Sequence, residues 1–475
     1  MSPLPTNNFT HRRFHPAPFL ISHSVQPPSS HQHCCPMDKL VVRGESSLQG
    51  PLTVSGSKNT ALPLMAATLL AKGPSTITNV PDLRDVRTFS KVIRHGGPAV
   101  AFDADAHTLS VDATTIETPV APYELVKKMR ASFYMLGALL GRCGTAKVSL
   151  PGGCAWGPRP VDLHIEGMKQ FGADIELDEG YVHASTPNGG LAGGTFRLEP
   201  VSVGATINLL LAAVTAQGGS KIENAAKEPD VVAFGRALQE MGAQIDGLGT
   251  RTIEVQGVDA LNAGTFRNTP DRIELGTFIL MAATAAEPGR PVDIHEGTHE
   301  HLGPVFKEKL AETGVDVSYG TEAVTVTRPE TLRPVSVETS PFPGFATDLQ
   351  AQWTVLLSRT DGTATVTDTI YDDRFKHVPE LQRLGMEIEV DGNTATIHGG
   401  APLKGAKVMS TDLRAGVSLV MAGMLAEGRT DVLRVYHLDR GYEDLEDKLR
   451  GAGVSIHREA YDEFAEPDQA PAQDG

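Results

Sequence analysis

The sequence predicts an α/β protein of two comparable domains, each assembled from three copies of one structural unit. Three observations carry this expectation. The chain has 475 residues, too many for one ordinary core, since single cores stop growing at roughly 250–300 residues. Short segments of the form hydrophobic-Gly-x-hydrophobic recur as HGGPAV, FGADIE, MGAQID, TGVDVS, LGMEIE and AGVSI. Their aligned glycines are Gly97, Gly172, Gly242, Gly314, Gly385 and Gly453, a period of about 70 residues that marks an internal repeat. Finally, each copy holds two helical patterns of opposite character.

The first element of each copy is apolar on nearly every face: ALPLMAATLLA, RASFYMLGALLG, VGATINLLLAAV, IELGTFILMAATAA, DLQAQWTVLLS and LRAGVSLVMAGML. A helix apolar all round must be buried on all sides. A short strand follows, in STITNV, AKVSL, SKIENA, PVDIHE, TATVTD and TDVLRVY. The second helix is amphipathic and half exposed; in the third copy Val231, Phe234, Leu238 and Met241 share one face at close to the helical period. The glycine segment then turns the chain into another strand. Sheets packed around central helices follow from this order, and six units divide naturally as three per domain.

The starts of the buried helices hold unexpected chemistry: Lys58-Asn59, Arg130, Ser202, Asp271-Arg272, Thr347-Asp348 and Asp412 to Arg414. Ser, Thr and Asp there read as N-caps, Thr347, Asp271 and Thr411 among them. Lys58, Arg130 and Arg414 do not. Cations are unfavourable at the positive end of a helix unless an anion compensates. Their recurrence points to an anionic ligand held by unpaired helix N–H groups.

The remaining features bound the function. A formal net charge of −16 argues against nucleic acid as a partner, because a phosphate-binding surface needs a basic excess. Apolar runs fall short of the roughly 20 residues a membrane span needs. Cys34, Cys35, Cys143 and Cys154 make no secreted disulfide framework, so a reducing cytoplasm is expected. No metal-ligand grouping and no P-loop motif is present. Residues 1–36 are rich in His, Pro and Ser and lack Asp and Glu; they read as a disordered extension, an overcalled start ahead of Met37, or an organelle transit segment. The tail 458–475 is acidic and read as disordered. Cys143, ending a buried helix pattern, is expected to be a packed core thiol. Cys154 differs. It lies in SLPGGCAWGPRPVDLH, a Gly- and Pro-rich loop with Arg159 nearby to favour its thiolate.

These stretches carry a family resemblance. SGSKNTALPL, MRASFYMLG, LPGGCAWGPRPVDLH, VSVGAT, TDLQAQ, DDRFKHVPEL, TDLRAG and DRGYEDLEDKL resemble, in order and from about Met37 to Ile456, the UDP-N-acetylglucosamine enolpyruvyl transferases. The resemblance implies a two-domain inverted (inside-out) α/β barrel of six βαβαββ-like repeats. One discontinuous catalytic domain would comprise 37–57 plus 270–457, and the other 58–269, carrying a mobile Cys154 loop. It implies transfer of the enolpyruvyl group of phosphoenolpyruvate to the 3-hydroxyl of UDP-N-acetylglucosamine, with release of phosphate, no cofactor and no obligate protein partner. Both substrates are polyanions, which accounts for cations at helix starts inside an acidic protein.

Carried over residue by residue, Cys154 is implied to donate the proton to C3 of phosphoenolpyruvate. Asp348 lies near the sugar 3-hydroxyl, as a base or as a positioning group. Lys58 and Arg440 are implied to contact phosphate or stabilise the intermediate, Arg159 and Arg414 to surround phosphoenolpyruvate, and Asn59 to touch sugar or intermediate. For the nucleotide the resemblance points to Arg130, to Arg159, Pro160, Val161, Asp162 and Leu163, to Val201, Ser202, Val203 and Gly204, and to Ile370. Val161 and Val201 equally fit plain packing. His164 and His377 are expected to make structural hydrogen bonds. Trp156, Pro158, Pro200 and Ala346 depart from the family pattern without removing a group the chemistry needs. Two rival readings share the pattern: the sister reaction on shikimate 3-phosphate, which lacks the cysteine loop, and a non-catalytic UDP-sugar-binding paralogue.

Overall fold

The computed structural model describes residues 37–461 except 45, 128, 152–160 and 188. The six apolar patterns form buried helices, in chain order Lys58–Ala67, Met135–Cys143, Val203–Ala213, Arg272–Ala285, Gln350–Ser358 and Leu413–Leu425. The second and fifth are each preceded by a 3-10 turn, Arg130–Tyr134 and Thr347–Leu349. The first three helices touch one another, and so do the last three. Buried apolar side chains accordingly form two clusters, one between Ala61 and Phe266, the other joining Leu40–Val54 to Ile273–Ile456.

Each copy contributes a four-stranded sheet of one topology. In the third copy Thr195–Arg197 runs parallel to Gly219–Glu223, which pairs antiparallel with Thr252–Gln256, itself antiparallel to Gln244–Asp246. The amphipathic helix Pro229–Glu240 buries the expected face, with Val231, Phe234 and Leu238 at 0% exposure. The six aligned glycines all have φ between +93° and +108°. Side chains rarely adopt that backbone, which is the physical reason for the repeat's glycine.

Three sheets are completed by strands from elsewhere in the chain. Leu52–Thr53, which precedes the first buried helix, pairs with Pro291–His295 of the fourth copy. Thr265–Arg267, which precedes the fourth buried helix, pairs with Pro74–Thr78 of the first. The chain therefore passes between the two core clusters twice. The two passing segments bond to each other: Ser57 N donates to the Thr269 carbonyl at 2.7 Å and Asp271 N to that of Ser55 at 2.9 Å. The sixth sheet is closed by Met37–Arg43, paired on one side with Arg429–Leu433 and on the other with Ile456–Tyr461.

Four expectations need correction. Thr347 caps no helix: its hydroxyl donates to Asp368 at 2.6 Å, and neither its own turn nor the helix Gln350–Ser358 has a side-chain cap. The tail does not begin at 458: the last strand runs to Tyr461, with Arg458–Tyr461 paired to Met37–Leu40. Arg458 is anchored further by Asp439 at 2.7 Å and Glu446 at 2.6 Å. Cys143 is exposed rather than packed, because the last turn of its helix leaves the core where Gly144 takes a left-handed cap at φ +67°. The cap of Leu413–Leu425 is Asp412, not Thr411, since the Asp412 carboxylate accepts from Arg414 N and Ala415 N.

Gly56 is where the passing segments meet, and a Cβ there would lie 1.9 Å from the Asn79 carbonyl oxygen. Gly56→Ala is therefore expected to cost at least ~1–3 kcal/mol, the range for overpacking a tight site, read as a lowered midpoint in denaturant melts. An unchanged midpoint would show that the segments separate freely.

Candidate active site

The site grows from the helix starts on either side of the passing segments. Ser57 caps the first buried helix, accepting from Thr60 N at 3.3 Å. Asp271 caps the fourth through Ile273 N at 2.8 Å and Glu274 N at 3.1 Å. Directly after these caps come Lys58 and Arg272; Arg414 follows the Asp412 cap by two residues. Each cation faces the positive end of its own helix, so each needs a carboxylate from elsewhere. Lys58 Nζ lies 3.5 Å from Asp85, and Arg272 lies 2.8 Å from Asp230. Arg414 lies 3.7 Å from both Asp271 and Asp348, with its guanidinium over the Tyr442 ring at 5.3 Å.

Asp348 is clamped from two sides, by Arg374 at 2.9 Å on Oδ1 and by Arg414 on Oδ2. Arg440 joins the group through Asp85, with Nε at 2.9 Å and a terminal nitrogen at 3.3 Å. The structure thus brings together Lys58, Asp348, Arg414 and Arg440. Burial lowers the Lys58 pKa more than Asp85 restores it, and Arg414 and Arg440 push the same way. For Asp348 burial acts upward, but Arg374, then Arg414, Arg272 and Lys58, outweigh it and hold the carboxyl below its ordinary value. The result is an ionised carboxylate set among cations, suited to binding an anion beside a hydrogen-bond acceptor.

A second group lies at the start of Val203–Ala213. His164 accepts from the Asn208 amide nitrogen through Nδ1 at 2.9 Å, with its ring edge-on to Phe133 at 5.2 Å. Burial, then Arg130, lowers its pKa to about 3, so the ring is neutral. Its Nε2 has no hydrogen-bond partner among the described residues and faces Gly204, where a Cβ would lie 3.5 Å away. Arg130, Val201, Ser202, Val203 and Gly204 are half-buried here, and the Ser202 hydroxyl is engaged as the cap of Ala205 N at 3.2 Å. Val161 belongs to the apolar core and Leu163 packs against it, whereas Asp162 is exposed.

Asn59 is half-buried at the second position of its helix. Ile370 is tied to the Asp348 turn, because Asp368 accepts from both Ile370 N at 2.9 Å and the Thr347 hydroxyl at 2.6 Å. Cys154, Arg159 and Pro160, with Trp156 and Pro158, lie outside the described residues. His377 is fully buried; neither ring nitrogen reaches strict hydrogen-bond geometry among the described residues, and the Arg374 backbone is the polar group that interacts with the ring.

The carboxylates Asp85 and Asp230 and the arginine Arg374 were not legible as site residues. Arg374 sits inside the DDRFKHVPEL stretch, three residues before His377, which was the available signal. Asp85 had only its place in the first turn of Arg84–His95, common for an acid. Two surface cavities, of about 310 Å³ beside Phe375 and Pro379 and about 620 Å³ beside Tyr123, Leu150 and Tyr181, are lined by none of the residues of this cluster. Among the described residues no His, Cys, Asp and Glu grouping could hold a metal. No described helix is long and apolar enough to cross a membrane.

Residues 42–449 match the family described as EPSP synthase (3-phosphoshikimate 1-carboxyvinyltransferase). The chain is 54% identical over 432 residues to the UDP-N-acetylglucosamine 1-carboxyvinyltransferase of Chloroherpeton thalassium, covering 91% of this chain and 99% of that protein. The chain belongs to the enolpyruvyl transferases, in their UDP-N-acetylglucosamine 1-carboxyvinyltransferase branch. The enzyme of that name from Chlorobium limicola is 49% identical, with 90% of this chain and 100% of that one covered. Among solved structures, the enolpyruvyl transferase NikO from Streptomyces tendae superposes with a TM-score of 0.81 at 27% identity, over 90% of this chain and all of that one. An EPSP synthase from Acinetobacter baumannii shares the fold, with a TM-score of 0.70 at 16% identity over 89% of this chain and 100% of its own.

Within this branch the Arg374–Asp348 pair is open to test. Arg374→Ala is expected to cost roughly 1–3 kcal/mol, below the ~3–5 of a fully buried pair because water reaches Asp348. Since the Asp348 pKa is depressed when folded, the pair stabilises above the unfolded Asp value of about 3.9 and is lost as pH falls below it. The melting difference between variant and parent should shrink on acidification. A difference independent of pH would assign the loss to packing.

Proposed function

We propose that the chain transfers the enolpyruvyl group of phosphoenolpyruvate to the 3-hydroxyl of UDP-N-acetylglucosamine, releasing phosphate, as the opening reaction of peptidoglycan precursor synthesis in the cytoplasm. The observation that carries this reading is the convergence of Arg414 and Lys58 on Asp348, with Arg440 beside Lys58 through Asp85, in a chain so similar to its named relatives. In this reading Lys58, Asn59, Arg159, Arg414 and Arg440 hold phosphoenolpyruvate. Arg130, residues 159–163, the 201–204 helix start and Ile370 hold the UDP-sugar. The two apolar clusters support two inside-out α/β barrels, comprising 37–57 plus 270 onward and 58–269.

The sugar hydroxyl adds to C2 of phosphoenolpyruvate, losing its proton near Asp348 while C3 gains one from Cys154. The product of this addition is tetrahedral at C2. Phosphate then leaves as C3 gives a proton back, restoring the double bond. The cations around Asp348 lower its pKa and weaken it as a base, so it acts mainly by accepting the hydroxyl hydrogen bond and orienting that oxygen. Cations that meet phosphate at the leaving step stabilise the charge that develops there.

Phosphate release from phosphoenolpyruvate, with and without UDP-N-acetylglucosamine, tests the assignment. Release is expected only with the UDP-sugar, and Cys154→Ser and Asp348→Asn should each slow it by about 10²-fold or more. Fosfomycin, an epoxide that alkylates thiols at this position in the family, should inactivate the parent and spare Cys154→Ser. Release with shikimate 3-phosphate in place of the UDP-sugar would transfer the assignment to the sister reaction; UDP-sugar binding without release would make the chain a binding paralogue.

Lys58 must keep its proton to meet phosphate, and its pKa is lowered from 10.5. The rate is therefore expected to fall on the alkaline side with an apparent pKa below that value. Lys58→Arg, whose guanidinium does not titrate in this range, should move the fall to higher pH. A limb that stays in place would remove Lys58 from the titration.

A further inference from the structure

Lys58 and Arg440, the two residues read above as phosphate contacts, share one carboxylate. Asp85 is 4% exposed on a helix whose buried face is otherwise Val86, Phe89, Ser90, Val92 and Ile93. Its carboxylate engages Arg440 through two nitrogens, at 2.9 and 3.3 Å, and lies 3.5 Å from Lys58 Nζ. The contact also spans the two cores. Val86 and Phe89 beside Asp85 belong to one cluster, while Val435 and Leu438 of the turn carrying Arg440 belong to the other.

Exposure is unequal across the pair. The Asp85 side chain keeps 5% of its surface and Arg440 keeps 28%, so the cation faces outward and the carboxylate does not. An incoming phosphate therefore meets Arg440 and not Asp85. It competes for the same guanidinium fork and for Lys58, carrying more charge than a carboxylate. We propose that Asp85 is a positioning residue, an internal anion that holds Lys58 and Arg440 until phosphate takes its place, and that reclaims them when phosphate leaves. This rests on the site reading of Lys58 and Arg440. Without such an anion Lys58, 7% exposed, would lose its nearest carboxylate in the unliganded protein. With it, the grip on phosphate is loosened by the free energy needed to part Asp85 from Arg440, and product departs more readily.

The probe is inorganic phosphate, measured as an inhibitor competing with phosphoenolpyruvate, at the low end of the active pH range where Lys58 keeps its proton. Asp85→Asn and Asp85→Ser are expected to lower the phosphate inhibition constant about tenfold, a coupling of ordinary size, with KM for phosphoenolpyruvate and kcat falling together. Asp85→Glu should restore the parent constant. A purely structural Asp85 would instead leave the constant unchanged or raise it in both uncharged variants, which overturns the proposal. Arg440→Ala separates the two levels: if it holds phosphate as tightly as the parent, the site reading itself has failed. Should the uncharged variants not fold, the parent decides the matter. The Arg440 Nε–H signal, assigned by its loss in Arg440→Lys, is expected to move on saturation with phosphate, and an unmoved signal refutes the exchange.

Discussion

Everything in this molecule turns on placing cations at the positive ends of buried helices. Lys58 and Arg414 are 7% and 3% exposed, and each stands in the first turn of its helix. The helix field opposes them and so does desolvation. Only carboxylates brought from distant parts of the chain make the arrangement tolerable: Asp85 and Asp230 from one core, Asp271 and Asp348 from the other. Lys58 and Arg414 find theirs within their own half, whereas Arg272 and Arg440 are compensated by Asp230 and Asp85 of the other, so those two pairs form only when the halves meet. A site built this way carries a standing affinity for anions, because its cations are held by groups that an anionic ligand can outbid.

The passing segments make that meeting reproducible. They bond to each other through backbone groups and lead straight into Lys58 and Arg272. A second polar seam lies beside them. Glu443 accepts from Asp82 N and from the Ser55 hydroxyl. Lys448 donates to the Ser55 hydroxyl at 2.6 Å and to Glu274 at 2.8 Å, and Glu274 accepts from Ser55 N at 2.6 Å. Because Glu443 follows Arg440 by three residues, this seam also fixes the turn that carries Arg440. Buried polar networks are costly when partly satisfied and rigidifying when complete, and this one is connected at each step from Asp82 to Glu274.

The repeat and the chemistry occupy different parts of each copy. Sheets, amphipathic helices and glycine turns recur with little change, whereas the helix starts differ from copy to copy: lysine in the first, aspartate in the fifth, arginine in the sixth. Similar frames thus present unlike residues, those of the first, fourth, fifth and sixth copies to one cluster, which is how a repetitive fold yields an asymmetric site.

The sequence by itself determined the six units, the contrast between wholly apolar and one-sided helices, and the glycine at each turn. These are local properties: periodicity sets which face is buried, and a φ near +100° admits glycine almost alone. It also determined the cations at the helix starts, since a helix start is visible in a dozen residues. Tertiary structure alone decided the rest. The choice of Asp412 over Thr411 as cap depends on where the first helical N–H groups point, and the exposure of Cys143 on which way its last turn leaves the core. The exchange of Leu52–Thr53 and Thr265–Arg267 between sheets is invisible locally, as is the pairing of Asp85 with residues 27 and 355 positions away. Coulomb interaction acts through space and takes no account of separation along the chain, so the partners of a buried charge are settled only when the chain is folded.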